Sequence, residues 1–580
     1  MKFKTVICVL NSKYIHSSLA PWCLYTACKK ELSGEHEVKV VEGTINEKQE
    51  YIYNRIIAEK PDFVGFSCYI WNITKSLELA KKLKNQGITI ALGGPEVSYR
   101  QKDILERYDF VDYVLSGEGE KIFPELVKTL AKGEMSEIKG VCLRKDGEYL
   151  ISEGDAIDFE NSVSPYCEEY FEALGNRIAY IESSRGCPFS CSYCLSSVDK
   201  KLRFRDLELV KKELQFFIDQ KVPQIKFVDR SFNCHHDHAM EIWKYIKDHD
   251  NGVTNFHFEV SADLITEEEL ELMATMRPGL IQLEIGVQST NEITIKEIHR
   301  TMKLQKLKEV VKRVQSMGNI HQHLDLIAGL PYEDYETFQK SFDEIYALKP
   351  NQLQLGFLKV LKGSYMYDHA AEYEIVYHDR PPYEVLSTKW LSYGDVLAIK
   401  QVEEMLEVYY NSGQFEVTMK LLEKLFTSPF EMFQRMGAFY QKKGYFGMSH
   451  SRIRRCEILL EFVQENSFEK ENLDEMIKEA LIFDLYYREN CKSRPAWAKD
   501  MAEFKHMTRF FCRSGKLSHV EPFDYRFPSK QEWSIEKLPK RLEKPLWVLF
   551  HYDRRDPLDH QAEIEYVQEE TWQQSEQKKS

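Results

Sequence analysis

The sequence predicts an α/β protein in three parts: an N-terminal doubly wound parallel sheet of Rossmann-like type (1–150), a central partial (β/α)6 TIM-like barrel (176–370), and a mostly α-helical C-terminal domain (371–580). Three observations predict it. Short β-branched runs alternate with amphipathic stretches from residue 5 to residue 132, which is the signature of a parallel sheet covered on both faces. After a polar, irregular connector (155–176) the alternation resumes as six β/α units, and beyond residue 365 helical periodicity replaces it. At 580 residues the chain exceeds what one hydrophobic core accommodates.

In the first part, strands are expected at 5–10, 37–41, 63–67, 88–92 and 112–115, with helices at 19–32, 47–59, 73–86 and 120–132. In doubly wound sheets ligands sit beyond the carboxyl ends of the strands. The loops there are Asn11–Ser18, Ser67–Asn72, Gly93-Gly94-Pro95-Glu96 and Gly117-Glu118-Gly119-Glu120. A glycine pair at a strand end lets backbone approach a bulky ligand, and the other loops offer hydroxyl, amide and carboxylate groups. The GxGxxG dinucleotide fingerprint is missing, which lowers a nucleotide reading.

The second part has strands at 178–184, 224–228, 255–260, 280–285, 321–326 and 352–357, with helices between them such as 207–220 and 306–317. Six units make an open barrel whose site lies at the carboxyl end of the strands. The third part reads as helices at 396–410, 430–443, 453–464 and 473–489, one strand at 545–551, and a polar tail from 561 to 580 expected to fray. No motif in it identifies a substrate.

A hydrophobic fraction of 43% with 29% charged residues suits a globular protein. The net charge of −14 argues against a broad nucleic-acid grip, so no nucleic-acid partner is expected. No run approaches the ~20 apolar residues of a membrane span, and none resembles a secretory signal. Thirteen scattered cysteines then read as reduced, cytoplasmic thiols, most of them small buried hydrophobes.

The exception is Cys187, Cys191 and Cys194 in Ile181-Glu-Ser-Ser-Arg-Gly-Cys-Pro-Phe-Ser-Cys-Ser-Tyr-Cys-Leu195. Cys-x3-Cys-x2-Cys holds three corners of a 4Fe-4S cubane, where a closed cluster needs four ligands. The open iron can chelate the amino and carboxylate groups of S-adenosylmethionine and reduce its sulfonium. The alternative is zinc held by these thiolates and a distant His or Cys.

The triplet, with aromatic Tyr193 before its last cysteine, resembles the signature of the radical S-adenosylmethionine (radical SAM) superfamily. The first part resembles the cobalamin-binding domain that precedes the radical core in one branch, on the strength of Ser67 and the pair Gly93-Gly94. The Asp-x-His-x-x-Gly loop of other cobalamin proteins is absent, and His16 lies in the corresponding loop without its Asp and Gly, so its contact with cobalt stays open. The resemblance implies S-adenosylmethionine contacts for Tyr193, Asp229, Ser261, Asp263, Glu284, Gln288 and Gly329, the last three within Glu-x-Gly-x-Gln-Ser and Gly-Leu-Pro segments. A strand-end carboxylate such as Asp229 or Glu284 equally serves to cap the next helix.

The implied cofactors are a 4Fe-4S cluster, S-adenosylmethionine and cobalamin, and the implied partners a small-molecule substrate and a reductant such as flavodoxin or ferredoxin. The expected activity is methylation of an unactivated carbon by way of a deoxyadenosyl radical. Alternatives are a cyclase or rearrangement enzyme, an RNA methylthiotransferase recruiting Cys8, Cys28 and Cys68 for a second cluster, and a non-catalytic cobalamin sensor.

Overall fold

The computed structural model describes residues 2–133, 137–466, 468–505, 508, 517–527 and 537–567. The first sheet contains β1 (Phe3–Asn11), β2 (His36–Thr44), β3 (Phe63–Ser67), β4 (Thr89–Gly93) and β5 (Tyr113–Leu115), all parallel, and is completed by β6 (Val141–Lys145) and β7 (Glu148–Leu150). The order is β2-β1-β3-β4-β5-β6-β7, with β6 and β7 antiparallel. The helices α1 (Ala20–Glu31), α2 (Gln49–Ala58), α3 (Ile73–Lys84), α4 (Gln101–Arg107) and α5 (Gly119–Lys132) cross over between strands. Strand order reverses between β1 and β3, and at such a switch point adjoining loops diverge and leave a crevice.

The central strands are apolar on both sides because both sides are covered. Val6, Val64 and Ile90 belong to one buried cluster, whereas Ile7, Phe63 and Ala91 belong to the cluster that contains Trp22 of α1 and Phe123 of α5. That second cluster continues through Tyr170 and Phe217 into the next sheet, so the first two parts share one core.

The connector is not wholly irregular, since it contains α6 (Glu168–Leu174) with Tyr170 buried. The run expected as one strand at 178–184 breaks into β8 (Ala179–Ile181) and β9 (Ser184–Arg185), the latter paired antiparallel with β10 (Arg203–Phe204). Then follow α7 (Leu207–Asp219), β11 (Gln224–Phe227), α8 (His236–Asp248), β12 (Asn255–Val260), α9 (Glu267–Ala274), β13 (Ile281–Gln288), α10 (Glu292–Glu297), α11 (Leu304–Met317), β14 (His321–Ala328), α12 (Tyr335–Tyr346) and β15 (Gln352–Phe357). The six-stranded parallel sheet runs β15-β14-β13-β12-β11-β8, with β8 and β15 at its edges, as an open barrel requires.

Past α13 (Tyr365–Asp368), a small hairpin of β16 (Val376–Tyr377) and β17 (Val385–Ser387) leads to α14 (Tyr393–Leu406), α15 (Glu416–Leu422), α16 (Pro429–Lys443), α17 (Arg452–Asn466) and α18 (Leu473–Arg488). The four expected helices are present as α14 and α16–α18. The region closes on more than one strand: β18 (Ser518–Tyr525), β19 (Arg541–Arg555) and β20 (Ala562–Val567) form an antiparallel sheet. Part of the tail expected to fray is therefore paired, because β20 lays Ala562 and Val567 into the buried face; residues 568–580 of that tail lie outside the described residues. No helix among the described residues is long and apolar enough to cross a membrane.

Candidate active site

The carboxyl ends of the two parallel sheets face one another. The β1–α1 loop joins them: Ile178 N donates to Ile15 O at 2.8 Å, and Ser17 Oγ donates to Ile178 O at 2.6 Å. Between the sheets lies a cavity of about 720 Å³ lined by His16, Ser67, Gly93 and Gly94 from the first and by Glu182 and Gly186 from the second. It reaches down between the first sheet and helices α1 and α5 to Ile7, Gly65 and Phe123.

Ser67 and Gly93 are register neighbours on β3 and β4, which brings the residues of the two motifs together at the sheet edge. Gly94 has a φ of +104°, and a β-carbon there would stand 2.6 Å from the Cys68 carbonyl oxygen, so only glycine fits the turn. That need comes from the protein's own backbone. Asn72, which pattern reading passed over, donates from Nδ2 to Leu10 O and Ser67 O, both at 3.0 Å, and so fixes the ends of β1 and β3. Tyr69 and Trp71 stack at 4.5 Å on the same loop. His16 is only half-buried. Its Nδ1 lies 2.7 Å from Tyr180 Oη, and burial, with Lys13 and Lys226 nearby, pushes its pKa down, so the imidazole is neutral.

The fourth loop behaves differently from its expectation. Glu118 and Glu120 are engaged by Arg185 and Arg203 at 2.6 to 3.3 Å, so these carboxylates secure the junction with β9 and β10.

The cysteine loop starts at Gly186, whose φ is +92° and whose β-carbon would lie 2.4 Å from Lys201 O. Cys187 N donates to Asp199 O at 2.9 Å, and Ser192 N donates to Ile298 O at 2.9 Å. Ser192 O in turn accepts from Met366 N at 2.8 Å, so the loop is clasped between the barrel and the segment after it. Cys187 and Cys191 are buried and Cys194 is partly exposed. Burial first, then the adjoining thiols, push the Cys187 pKa up, so a thiolate at Cys187 needs a compensating positive charge.

Among the described residues, the one group of three His, Cys, Asp or Glu donors within 4.8 Å of each other is Glu284, His323 and Asp325. The three thiols are thus spread wider than a single zinc shell, whose sulfurs stand about 3.8 Å apart at a Zn–S bond of about 2.3 Å. A cubane, with a different iron at each corner, suits that spread.

Around the loop, Arg300 was not foreseen. Its Nη1 lies 3.8 Å from Cys191 Sγ and 3.3 Å from Tyr193 Oη, and its Nη2 donates to Gly286 O. Gln288 has a φ of +73° at a β-bulge, with its side chain folded over Gly286. Buried Gln288 Oε1, Arg300 Nε and Ser192 Oγ have no hydrogen-bond partner, so polar groups around the loop are free to meet a ligand.

The remaining strand-end residues divide. Asp229 is fully buried and accepts from Ser183 N (3.0 Å), Ser183 Oγ (2.7 Å) and Ser184 Oγ (2.6 Å); burial raises its pKa to about 6. It caps no helix. It ends β8 and aims the chain toward Cys187. Asp263 Oδ2 accepts from Lys303 N at 3.0 Å, and Ser261 exchanges backbone bonds with the Asn233 amide at 2.9 and 3.0 Å. Gly329 ends β14 with a φ of +90°.

Glu284 points into the barrel among groups that sequence reading left unassigned. Its Oε2 lies 2.8 Å from Lys226 Nζ and 2.9 Å from His257 Nε2, and although burial opposes ionisation, His257 and Lys226 hold its pKa far below the carboxylate range. Lys226 thus pairs with Glu284 inside the barrel, and His323 Nε2 lies 3.3 Å from Asp325 Oδ1, where burial pushes the His323 pKa down and the Asp325 pKa up, so the trio is a polar network around one ion pair.

Comparison with known proteins agrees with this arrangement. Residues 5–127 match the B12 binding domain model, residues 181–345 the radical SAM superfamily model, and residues 371–542 a family described as protein of unknown function (DUF4080). An uncharacterized methyltransferase, PH0819 of Pyrococcus horikoshii, is 24% identical over 68% of this chain and 84% of its own length. The hopanoid C-3 methylase of Methylococcus capsulatus is 26% identical over 58% of this chain and 66% of its own. The cobalamin-dependent radical SAM methyltransferase TokK of Streptomyces tokunonensis is 26% identical over 48% of this chain, which spans 44% of that relative. Among solved structures, the radical S-adenosylmethionine methyltransferase TsrM of Kitasatospora setae, with cobalamin and [4Fe-4S] cluster bound, has a TM-score of 0.55 at 17% identity, covering 66% of this chain and 78% of that one, and shares the fold.

A parallel open barrel carrying a three-thiol loop is the core of a radical SAM enzyme. With the B12-binding sheet in front of it, the chain combines a B12 binding domain with a radical SAM domain, and the cofactors of this pair are a 4Fe-4S cluster, S-adenosylmethionine and cobalamin.

Proposed function

We propose that the protein is a methyltransferase acting on an unactivated carbon of a small molecule. The observation that carries this reading is the shared cavity, into which the Gly93-Gly94 loop and the loop leading to Cys187 both open. The segments flanking the thiol triplet, at Gly186 and Ser196, and the Gly93-Gly94 loop face the same volume. A methylase among the relatives and TokK point the same way.

When bound, the cluster supplies an electron to the S-adenosylmethionine sulfonium and cobalamin supplies a methyl group. The chain's own residues do the rest. Cys187, Cys191 and Cys194 would hold the cluster, and Tyr193, packed against the apolar residues around Leu358, would keep water from it. Arg300 offers its guanidinium to the cosubstrate's carboxylate. Gln288, Asp263, Ser261 and Gly329 would contact its nucleoside end, and Glu284, held by His257 and Lys226, would supply a polar wall toward the amine. Asp229 acts indirectly by holding the Ser183–Ser184 turn. Ser67, Gly93 and Gly94 receive the corrin and its tail, while His16, committed to Tyr180, orients the domain junction.

A methylthiotransferase is disfavoured because the three cysteines it would need for a second cluster are not together: Cys8 and Cys68 lie in one core and Cys28 in the other. The test is anaerobic reconstitution with iron, sulfide and hydroxocobalamin, followed by reduction in the presence of S-adenosylmethionine. About four irons per chain, with deoxyadenosine formed and abolished by Ala at any of the three cysteines, is expected. Paired formation of S-adenosylhomocysteine marks methyl transfer. Deoxyadenosine alone would instead indicate a cyclase, about eight irons a methylthiotransferase, and no cleavage a sensor.

A further inference from the structure

The region matching the family of unknown function begins with a short arm that touches both halves of the site. Tyr383 is buried, with a φ of +57°, and its hydroxyl donates to Glu96, the residue that closes the Gly93-Gly94-Pro95-Glu96 loop. Arg100 completes the joint: its Nη1 lies 2.8 Å from Tyr383 Oη and 3.1 Å from Glu96 Oε1. Two residues on, Val385 is wedged against the other loop, and a β-carbon on Gly329 would stand 2.8 Å from Val385 Cγ1. Backbone bonds fix the arm between these contacts. Val360 N donates to Tyr383 O, Val385 N to Leu358 O, and Leu358 N to Ala328 O, each at 2.9 Å. A second joint lies alongside, where Lys362 pairs with Asp103 at 3.6 Å and Gly363 sits under the Tyr99 ring.

A tyrosine in the left-handed region is held there only by surrounding contacts, because the conformation is disfavoured for L-residues. Here those contacts belong to two loops that the chain builds far apart: one beside the crevice of the first sheet, the other after β14. We propose that Tyr383–Val385 is a strut through which cobalamin and S-adenosylmethionine binding are coupled, with Tyr383 as a positioning residue for both loops. This rests on the cofactor reading above. It assigns a task to the opening of the C-terminal region: keeping the two cofactor loops in fixed relation. Binding of one ligand then orders the loop of the other, and by linkage the effect is reciprocal.

The experiment uses the full chain with its cluster reconstituted, and hydroxocobalamin and S-adenosylmethionine as probes in anaerobic equilibrium dialysis. For the unsubstituted protein, saturating hydroxocobalamin is expected to tighten S-adenosylmethionine binding about tenfold, and the reverse order to give the same factor. Tyr383→Phe keeps the ring and the Val385 wedge but severs the bond to Glu96; the factor should fall below about twofold while iron content and circular dichroism stay unchanged. Val385→Ala cuts the opposite end of the strut and should do the same, which covers the case of a Phe variant that fails to fold. A merely structural role would lower thermal stability and leave the factor intact. Both ligands binding with no mutual effect, or a Tyr383→Phe protein that keeps the tenfold factor, overturns the strut alone. Absence of hydroxocobalamin binding overturns the proposed function and the strut with it.

Discussion

Glu333 offers the sharpest physical test of the site's architecture. It follows the Gly329-Leu-Pro-Tyr turn, is fully buried, and accepts from Ser289 Oγ at 2.6 Å and Ser341 Oγ at 2.9 Å, which ties the end of β13 to α12; its Oε2 has no partner. Burial raises its pKa from 4.5 to about 7, only partly offset by the two serines. The folded state therefore holds this proton more tightly than the unfolded chain. The associated stability is complete below pH 4.5 and is lost as pH rises through 7. A displacement of this size corresponds to about 3 kcal/mol, of which about 2 kcal/mol falls between pH 5.5 and 8.5. Glu333→Gln keeps an acceptor for both serines and removes the ionisation. Its amide at the unpartnered position costs about 1–3 kcal/mol, equally at every pH. The readout is thus a difference of differences: the variant should gain about 2 kcal/mol on the unsubstituted protein between pH 5.5 and 8.5. Urea unfolding of the cofactor-free chain, followed by circular dichroism at the two pH values, measures it. A stability difference that is the same at both pH values, or that moves against the variant at alkaline pH, would refute the assignment of Glu333 as a carboxyl buried largely uncharged.

Two further substitutions probe the cofactor loops. Asp229→Ala leaves Ser183 N, Ser183 Oγ and Ser184 Oγ without their acceptor, and should cost about 3 kcal/mol or more together with most of the cluster iron; iron per chain after reconstitution checks it. His16→Ala should leave hydroxocobalamin bound, and the reduced Co(II) electron paramagnetic resonance spectrum of both proteins should lack splitting from a protein nitrogen, since the Asp-x-His-x-x-Gly loop is absent and His16 is turned to Tyr180. A nitrogen splitting that disappears in the variant would make His16 a cobalt ligand.

The parallel sheets were legible because burial on both faces leaves continuous apolar runs, as in Val6–Leu10 and Phe63–Phe66, and because helices fill the gaps at the right length. The thiol triplet was legible for a different reason: its ligands are local in sequence. Residues brought in from afar were not. Arg300 follows α10 without any motif around it and meets Cys191 only when the barrel closes. His321 and His323 alternate along β14 with no motif around them, yet that side of the strand faces the inside of the barrel with His257 and Glu284. The β6–β7 hairpin left a cue in Lys145-Asp146-Gly147-Glu148, whose Asp and Gly both have positive φ, but strands this short and polar give little alternation to detect. In the C-terminal sheet, Glu543 and Lys544 interrupt β19, and its pairing depends on partners on either side in sequence. Asp484 shows the same limit. Lying inside α18, it caps α15 through Val417 N, Thr418 N and Thr418 Oγ1, an interaction with no local signature.

The bond from Met366 to Ser192 carries a consequence for how the protein matures. The thiol loop proposed to receive iron is translated early, yet one of the bonds that clasp it is supplied by chain that emerges only after the last barrel strand. A nascent polypeptide that stops short of that segment keeps the bonds to Asp199 and Ile298 but lacks the one from Met366, so the loop around the thiols reaches its final form only when the chain beyond the last strand has been made.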